Sequence, residues 1–352
     1  MNDFFLIAIV LMIFLLIFQI GKASEYVSIL KGEEKSRRQT NRINGFLLVA
    51  FLVLGLAGVW WCNDLYYGKT LFPQGSASLE GENIDTMMWI TIAVCGVVFF
   101  ITQIILFWFS FKYQESDKRK AYYFPHNNKL ELLWTAVPAI VLTVLVVFGL
   151  KYWFKFTGDA PKDSQLVEVT GHQFDWEFRY PGKDGVFGRK NYKLTDPANK
   201  NPLGVDWNDE ASHDDIHVNH VMHVVVGKPV KLVIGSQDVI HDVGLSHFRM
   251  KMDAVPGIPT TLWFTPKWTT EEMKIRTGNS NFVYEISCDQ ICGKGHFSMK
   301  GIIIVESQRD FDKWIAEQKP EYYKAFPERD PNPAPAKTDS ATASKTVAQV
   351  TH

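Results

Sequence analysis

Four long apolar stretches crowd into the first 160 residues, at 4–20, 43–61, 87–111 and 132–154, and none carries a charge near its middle. A helix of about 20 residues crosses a hydrocarbon core of about 30 Å, so each stretch is long enough, or nearly so, to span a membrane. A core helix of a soluble protein would show polar residues on its wet face, and these show almost none. The chain as a whole is only 46% apolar because this part is averaged with a more polar one. Pro138 lies near the start of the fourth stretch, where a helix tolerates it best.

Charges between the stretches set their direction. Lys22, Lys31, Lys35, Arg37, Arg38 and Arg42 follow the first, and Lys112, Lys118, Arg119, Lys120 and Lys129 follow the third. The connection at 62–86 holds one base, Lys69, against Asp64, Glu80, Glu82 and Asp85. Basic loops stay in the cytoplasm, which places the N-terminus, the acidic connection and everything after residue 154 outside. The leader Met-Asn-Asp lacks a positive n-region and no A-x-A-like cleavage site follows, so the first stretch reads as a retained helix rather than a signal peptide. With no transit peptide either, the expected location is a bacterial inner membrane, with multiple passes and the second half of the chain in the periplasm.

Beyond the membrane the pattern changes to period two. Short runs rich in β-branched residues at 166–170, 223–226, 229–234, 261–264, 282–286 and 301–305 read as strands. Strands without intervening helices suggest a sandwich or barrel. The polar segment at 181–217 is long for a hairpin connection and reads as an exposed insertion. Its Asp206, Asp209, Glu210, Asp214 and Asp215 form either a solvated loop or a docking patch for a basic cytochrome. His213, His217, His220 and His223 lie close in sequence but carry no thiol, so a surface cluster is expected rather than a metal site. Residues 309–324 suggest an amphipathic helix with Phe311 and Trp314 turned back onto the domain, and the Pro/Ala/Ser/Thr-rich end is too poor in apolar bulk to fold. The expected domains are a helical hairpin at 1–62, a loop at 63–86, a second hairpin at 87–156, a β domain at 157–308, a helix at 309–328 and a disordered tail at 329–352.

Chemistry concentrates in twelve residues. Cys288, Cys292, His296 and Met299 fall in one run, and His241 stands in Asp238-Val-Ile-His-Asp242 upstream. A disulfide would use only the two sulfurs. Zinc takes thiolate and imidazole but not usually thioether. A mononuclear blue-copper site needs one Cys, two His and a weak axial Met, leaving Cys288 idle. Two thiolates bridging two coppers, each with one imidazole, would use every residue. Thiolate, imidazole and thioether are a soft set, which favours copper. No Cys-x-x-Cys-His occurs, so no c-type haem is attached to this chain. A formal net charge of −1 gives no reason to expect a nucleic-acid partner.

The run at 236–305, with Met252-Asp253-Ala-Val-Pro-Gly257 inside it, resembles the copper domain of cytochrome c oxidase subunit II, and the likeness extends from about 87 to 314. The four apolar stretches and the resemblance together give a membrane-anchored α + β chain: four N-terminal transmembrane helices, read from the stretches, precede the extramembrane, all-β cupredoxin-like Greek-key sandwich that the resemblance implies. It implies a dinuclear CuA centre with Cys288 and Cys292 as bridging thiolates, His241 and His296 as terminal imidazoles, and Met299 and the Gln290 carbonyl as axial ligands. The implied partners are subunit I, with its haem and copper, subunit III, and cytochrome c or a membrane-bound c-type cytochrome as donor. Oxygen reduction and proton pumping would then reside in the assembly, with the oxygen chemistry in subunit I. Glu131 matches a family glutamate at the mouth of a proton path, although acids favour a first helical turn through the dipole in any case.

Two positions depart from the family pattern. Phe174 stands where the family has an exposed tryptophan that takes in electrons, while Trp176 matches the second family aromatic. Gln290 replaces a glutamate that holds magnesium at the contact with subunit I, and a neutral amide is a poorer ligand for that hard cation. Three rivals remain: a tethered blue-copper carrier, a quinol-oxidase subunit without ligands, and a disulfide-bearing membrane protein without metal. Typical members have two membrane helices, matching the third and fourth stretches. The first two would dock a membrane partner, whether an oxidase subunit or another respiratory complex. Deleting residues 1–80 is then expected to weaken co-purification with that partner while leaving copper uptake intact.

Overall fold

The computed structural model describes residues 2–116 and 118–332, so the tail expected at 333–352 lies outside the described residues. The chain forms two compact units. One comprises residues up to Pro73 together with 86–149; the other comprises 74–85 and everything described from Leu150 onward.

The first unit is helical. Helices α1 (Asn2–Lys31), α2 (Glu33–Tyr66), α3 (Leu79–Lys112) and α4 (Asn128–Thr157) contain the four apolar stretches but run past them. At 1.5 Å per residue, the 34 residues of α2 reach about 51 Å, well beyond a hydrocarbon core. The basic stretch after residue 20 is therefore not a loop. It is helix on both sides of a single break at Gly32, whose φ of 81° suits glycine. Pro138 is also displaced from expectation, because α4 starts at Asn128 and the proline falls inside it. Phe46 meets Phe111 with ring centroids 5.1 Å apart, and Phe51 meets Phe107 at 5.9 Å. A side chain at Gly45 would displace the Gln114 amide and stand 3.3 Å from the Phe111 ring, so glycine lets the Gln114 side chain settle against α2. Most other apolar side chains point outward, such as Leu54 at 71% exposed and Ile140 at 65%, as lipid or a partner helix requires.

The second unit is a sandwich of two five-stranded sheets. One has the order β3-β2-β1-β5-β8 and the other β4-β10-β9-β6-β7. The strands are β1 (Gln165–His172), β2 (Asp175–Tyr180), β3 (Ile216–Asn219), β4 (Val221–Val225), β5 (Val230–Ser236), β6 (His241–Leu245), β7 (Met250–Ala254), β8 (Thr260–Phe264), β9 (Tyr284–Cys288) and β10 (Lys300–Glu306). β1 pairs in parallel with β5 and β10 with β4; the remaining ladders are antiparallel. Val167, Val169, Phe178, Met222, Leu232, Ile234, Phe264 and Ile286 are buried between the sheets. Each such side chain contributes about 1.5–3 kcal/mol by leaving water.

All six strands expected from the sequence are present, and β2, β3, β6 and β7 are additional. β2 alternates Trp176, Phe178 and Tyr180, which enter the core, with Glu177 and Arg179 on the opposite face, where both are nevertheless buried as pairs. Buried Arg179 donates from Nε to Glu168 at 2.7 Å and from Nη1 to Asp215 at 2.8 Å. The acids of the 181–217 insertion are likewise turned to internal work. Asp215 is buried on Arg179, Asp214 accepts the backbone N–H groups of Lys183 and Asp184, and Asp209 accepts that of Arg189. Only Glu210 of the five stands fully exposed, so a broad acidic docking patch is not what this segment offers. The C-terminal helix is interrupted at Pro320 into α6 (Gln308–Glu317) and α7 (Glu321–Ala325), and Trp314 stacks on His223 with centroids 3.9 Å apart. Asp330 binds Lys319 at 2.6 Å, so the chain stays fixed past residue 329, where the disordered tail was expected to begin.

The stretch at 74–85, read from sequence as part of a loop, is built into the sandwich. Buried Glu80 accepts the N–H of Thr265 at 2.7 Å, Ser78 Oγ donates to the Phe248 carbonyl at 2.7 Å, and Asp85 pairs with Arg249 at 2.6 Å. Deletion of 1–80 would orphan the Thr265 N–H, at about 1–3 kcal/mol for that group alone. The informative truncation therefore removes 1–66. It is expected to weaken co-purification and retain copper uptake, whereas removal of 1–80 also lowers the thermal midpoint; equal stability of the two truncations would contradict the packing described.

Glu177 generates a second prediction. His172 Nε2 lies 3.3 Å from Glu177 Oε1, and His217 Nε2 approaches Oε2 at 3.1 Å as an ion pair rather than an aligned hydrogen bond. Burial raises the carboxyl, but the two histidines outweigh it and hold it at about 2. A depressed carboxyl contributes stability that is present above its unfolded value and lost as pH falls toward 2. The thermal midpoint of the native chain should thus drop more between pH 5 and pH 3 than that of Glu177→Gln, and parallel curves would contradict the pairing.

Candidate metal centre

The site is assembled by one strand pair and one loop. β6 and β9 run antiparallel with Val243 opposite Cys288, so His241 at the start of β6 comes beside the cysteine that ends β9. The loop from β9 to β10 closes through the Cys288 N–H donating to the Met299 carbonyl at 3.2 Å. Tight turns then fold it inward, with the His296 N–H on the Gly293 carbonyl and the Met299 N–H on that of His296. Gly293 takes a φ of 132°, which a side chain would strain.

These constraints gather every donor expected from the sequence. Cys288 Sγ and Cys292 Sγ are 3.7 Å apart, far beyond a disulfide bond length of about 2.05 Å. Both cysteines are free, so the disulfide alternative is not what this structure forms. His241 Nδ1 lies 3.7 Å from Cys288 Sγ, and His296 Nδ1 lies 3.6 Å from Cys292 Sγ. Met299 Sδ is 3.8 Å from Cys292 Sγ, while the Gln290 carbonyl is 3.1 Å from Cys288 Sγ. Each sulfur thus has its own imidazole and its own weaker donor. His241, Cys288, Cys292 and Met299 are buried, whereas His296 is half-buried.

The surroundings orient these donors. Asp238 Oδ1 sits 2.8 Å from His241 Nε2, which places the ring proton there and leaves the Nδ1 lone pair facing sulfur. Burial alone would raise the Asp238 carboxyl; hydrogen bonds from His241 and from the N–H groups of Gln173 and Val239 hold it below its usual value. Burial, reinforced by the Cys288 thiol, pushes Cys292 up to about 11, so its proton stays on sulfur until a cation displaces it. A sulfur-rich, imidazole-bearing, largely dehydrated donor set fits copper.

The other sequence candidates fall in different settings. Phe174 is half-buried with its ring against the loop; a Cβ on Gly295 would come within 2.6 Å of it. Trp176 is fully buried and meets His241 edge-to-face, with centroids 5.9 Å apart, so it offers no surface to a partner. Glu131 lies far along the chain in the first turn of α4, where Oε1 accepts the Asn127 N–H at 3.1 Å and helps close the helix end. The four neighbouring histidines do not converge. His213 stacks on Tyr322, His217 pairs with Glu177, His220 with Asp175 and His223 with Glu306. His217 and His223 are also more enclosed than a surface cluster would be. Sequence reading missed Asp238 and Gln173 as site residues. Asp238 had a signal, three positions before His241; Gln173 had none.

Fold and site together define a membrane-anchored copper protein of cupredoxin-like architecture. Comparison with known proteins narrows the class. The family description "Cytochrome C oxidase subunit II, transmembrane domain" matches residues 68–152, and "Cytochrome C oxidase subunit II, periplasmic domain" matches residues 165–307. The "Alternative cytochrome c oxidase subunit 2" of Bradyrhizobium diazoefficiens is 36% identical over 239 residues, spanning 67% of this chain and 80% of that one. The "Cytochrome c oxidase subunit 2" of Cereibacter sphaeroides is 27% identical over 242 residues, 66% of this chain and 74% of that one. Among solved structures, the periplasmic domain of subunit II of cytochrome oxidase of Bradyrhizobium japonicum is 27% identical and covers 45% of this chain and 95% of its own, with a TM-score of 0.31. The chain belongs to the cytochrome c oxidase subunit II family, and two further apolar helices stand largely ahead of its matched region.

Outer-shell partners of a metal-bound histidine typically change affinity 10–100-fold. Asp238→Asn should therefore weaken copper binding by about that factor in chelator competition; an unchanged affinity would show the Asp238–His241 bond to be idle.

Proposed function

We propose that this chain is the electron-accepting subunit of a proton-pumping haem-copper oxidase. It would stand between cytochrome c, or a membrane-bound c-type cytochrome, and the haem of subunit I, where oxygen is reduced to water. The observation that carries this reading is the pairing at the site: two sulfurs 3.7 Å apart, each facing a separate imidazole. One copper would leave half of these donors unused.

On this reading Cys288 and Cys292 would both hold the copper as thiolates, with His241 and Met299 buried around them and His296 nearer the surface. His241 and the Gln290 carbonyl serve the Cys288 side; His296 and Met299 serve the Cys292 side. When bound, a two-copper cluster supplies a one-electron couple whose charge is spread over both metals and both sulfurs. The protein's part is to hold the donors still, because a site that moves little on changing redox state faces a small reorganisation barrier. His241 is held by Asp238 and by the Trp176 ring, and the Cys292 loop is covered by Phe174. Phe174, partly accessible above that loop, is the apolar contact a donor would meet, while Trp176 acts from beneath.

The outer domain is assigned to the periplasm on the strength of the basic residues at the facing ends of α1 and α2 and after α3, and the helices are assigned to a bacterial inner membrane. Glu131 is assigned to the cytoplasmic mouth of a proton path, in the first turn of α4, where it also accepts the Asn127 N–H. Gln290 offers an amide where a magnesium ligand at the contact with subunit I would need a carboxylate, so any magnesium there depends on other groups. Subunit III completes the expected assembly, and α1 with α2 supplies a surface for an additional membrane partner.

The test is copper content with electron paramagnetic resonance on the purified full-length chain. Two coppers per chain with one unpaired electron shared across both are expected, falling to one localised copper or none in Cys292→Ser. A native chain that takes up a single copper would withdraw the reading.

A further inference from the structure

The turn between β1 and β2 reaches the metal centre without supplying a ligand. Its Gln173 makes contacts in two directions. The backbone N–H donates to Asp238 Oδ2 at 2.7 Å, and the other oxygen of that carboxylate lies 2.8 Å from His241 Nε2. The side-chain Nε2 donates to the Cys292 carbonyl at 2.6 Å. A carbonyl only accepts, so the amide must present its NH2 at this point. One residue therefore joins the strand arm that carries His241 to the loop arm that carries Cys292 and His296. The loop in turn leaves room for it: a Cβ on Gly293 would stand 2.8 Å from the same amide nitrogen.

We propose that Gln173 is a positioning residue for the metal centre, fixing the separation of the two arms that bring imidazole and thiolate together. The proposal rests on the dicopper reading above. β6 and β9 bring only one cysteine beside His241, Cys288 standing opposite Val243, and the Cys292 arm is a loop with two glycines. Such a loop needs a strut. Gln173 provides it from a neighbouring turn that the Asp238 carboxylate already ties to His241. Because the residue is itself exposed, replacing its side chain removes the strut without opening the core.

The test uses the full-length chain in detergent, loaded with copper, in native form and as Gln173→Ala and Gln173→Glu. The second variant keeps the shape of the side chain but sets an acceptor against the Cys292 carbonyl. Both variants should take up as much copper as the native chain, release it to a copper(I) chelator about tenfold faster, and show an altered hyperfine pattern. Native release rate and native spectrum in Gln173→Glu would overturn the proposal, whatever Gln173→Ala does. If the native chain itself binds fewer than two coppers, the dicopper reading fails instead, and that outcome is visible before any variant is compared.

Discussion

Pairing of β6 with β9 is the constraint from which the site follows. It sets Val243 opposite Cys288 and so carries His241 across 47 residues of sequence to a sulfur atom it would otherwise never meet. The hydrophobic core enforces that register, since Val243, Leu245 and Ile286 are buried and a slip of one residue would turn each of them to the other face. The metal centre thus inherits its geometry from the same packing that makes the sandwich stable. Only the loop from Cys288 to Met299 lies outside that control, and the turn at Gln173 and Phe174 covers it.

Burial around the two sulfurs has a second consequence. Desolvation holds the Cys292 proton on sulfur, which costs affinity for a weakly held cation and favours a soft one that bonds covalently to sulfur. A rigid, dry pocket is also what electron transfer needs, because water and mobile side chains would have to reorient with each change of charge. The sandwich also holds residues 74–85 and the end of α4, which belong to the same compact unit. Ser78, Glu80 and Asp85 at the start of α3 hydrogen-bond into it, and Trp263 Nε1 donates to the Lys155 carbonyl at the end of α4 at 2.9 Å.

Much of this was legible in the sequence, for reasons that differ by region. Apolar runs betray membrane helices because lipid admits no polar alternative, and soft ligands betray copper because few other tasks gather two thiols, imidazole and thioether in so short a span. Helix ends were less legible. Gly32 is a one-residue break in what looked like a basic loop, and Asn128 starts α4 early enough to place Pro138 within it. Strand β2 was open to a period-two reading, since Trp176, Phe178 and Tyr180 alternate with Glu177 and Arg179. By contrast β6 is short and carries the buried Asp242, whose nearest opposite charge, Lys251 at 3.6 Å, comes from the next strand. The roles of Asp238 and Gln173 depend on contacts across 65 and 119 residues, which only the fold brings together. The same holds for Glu80, whose partner Thr265 is 185 residues away.

X-ray absorption at the copper edge of the loaded, reduced chain would probe the central claim most directly. The account predicts a sulfur-dominated first shell with a second copper atom close behind it, bridged by the two thiolates. A shell of sulfur and nitrogen with no neighbouring copper would contradict it.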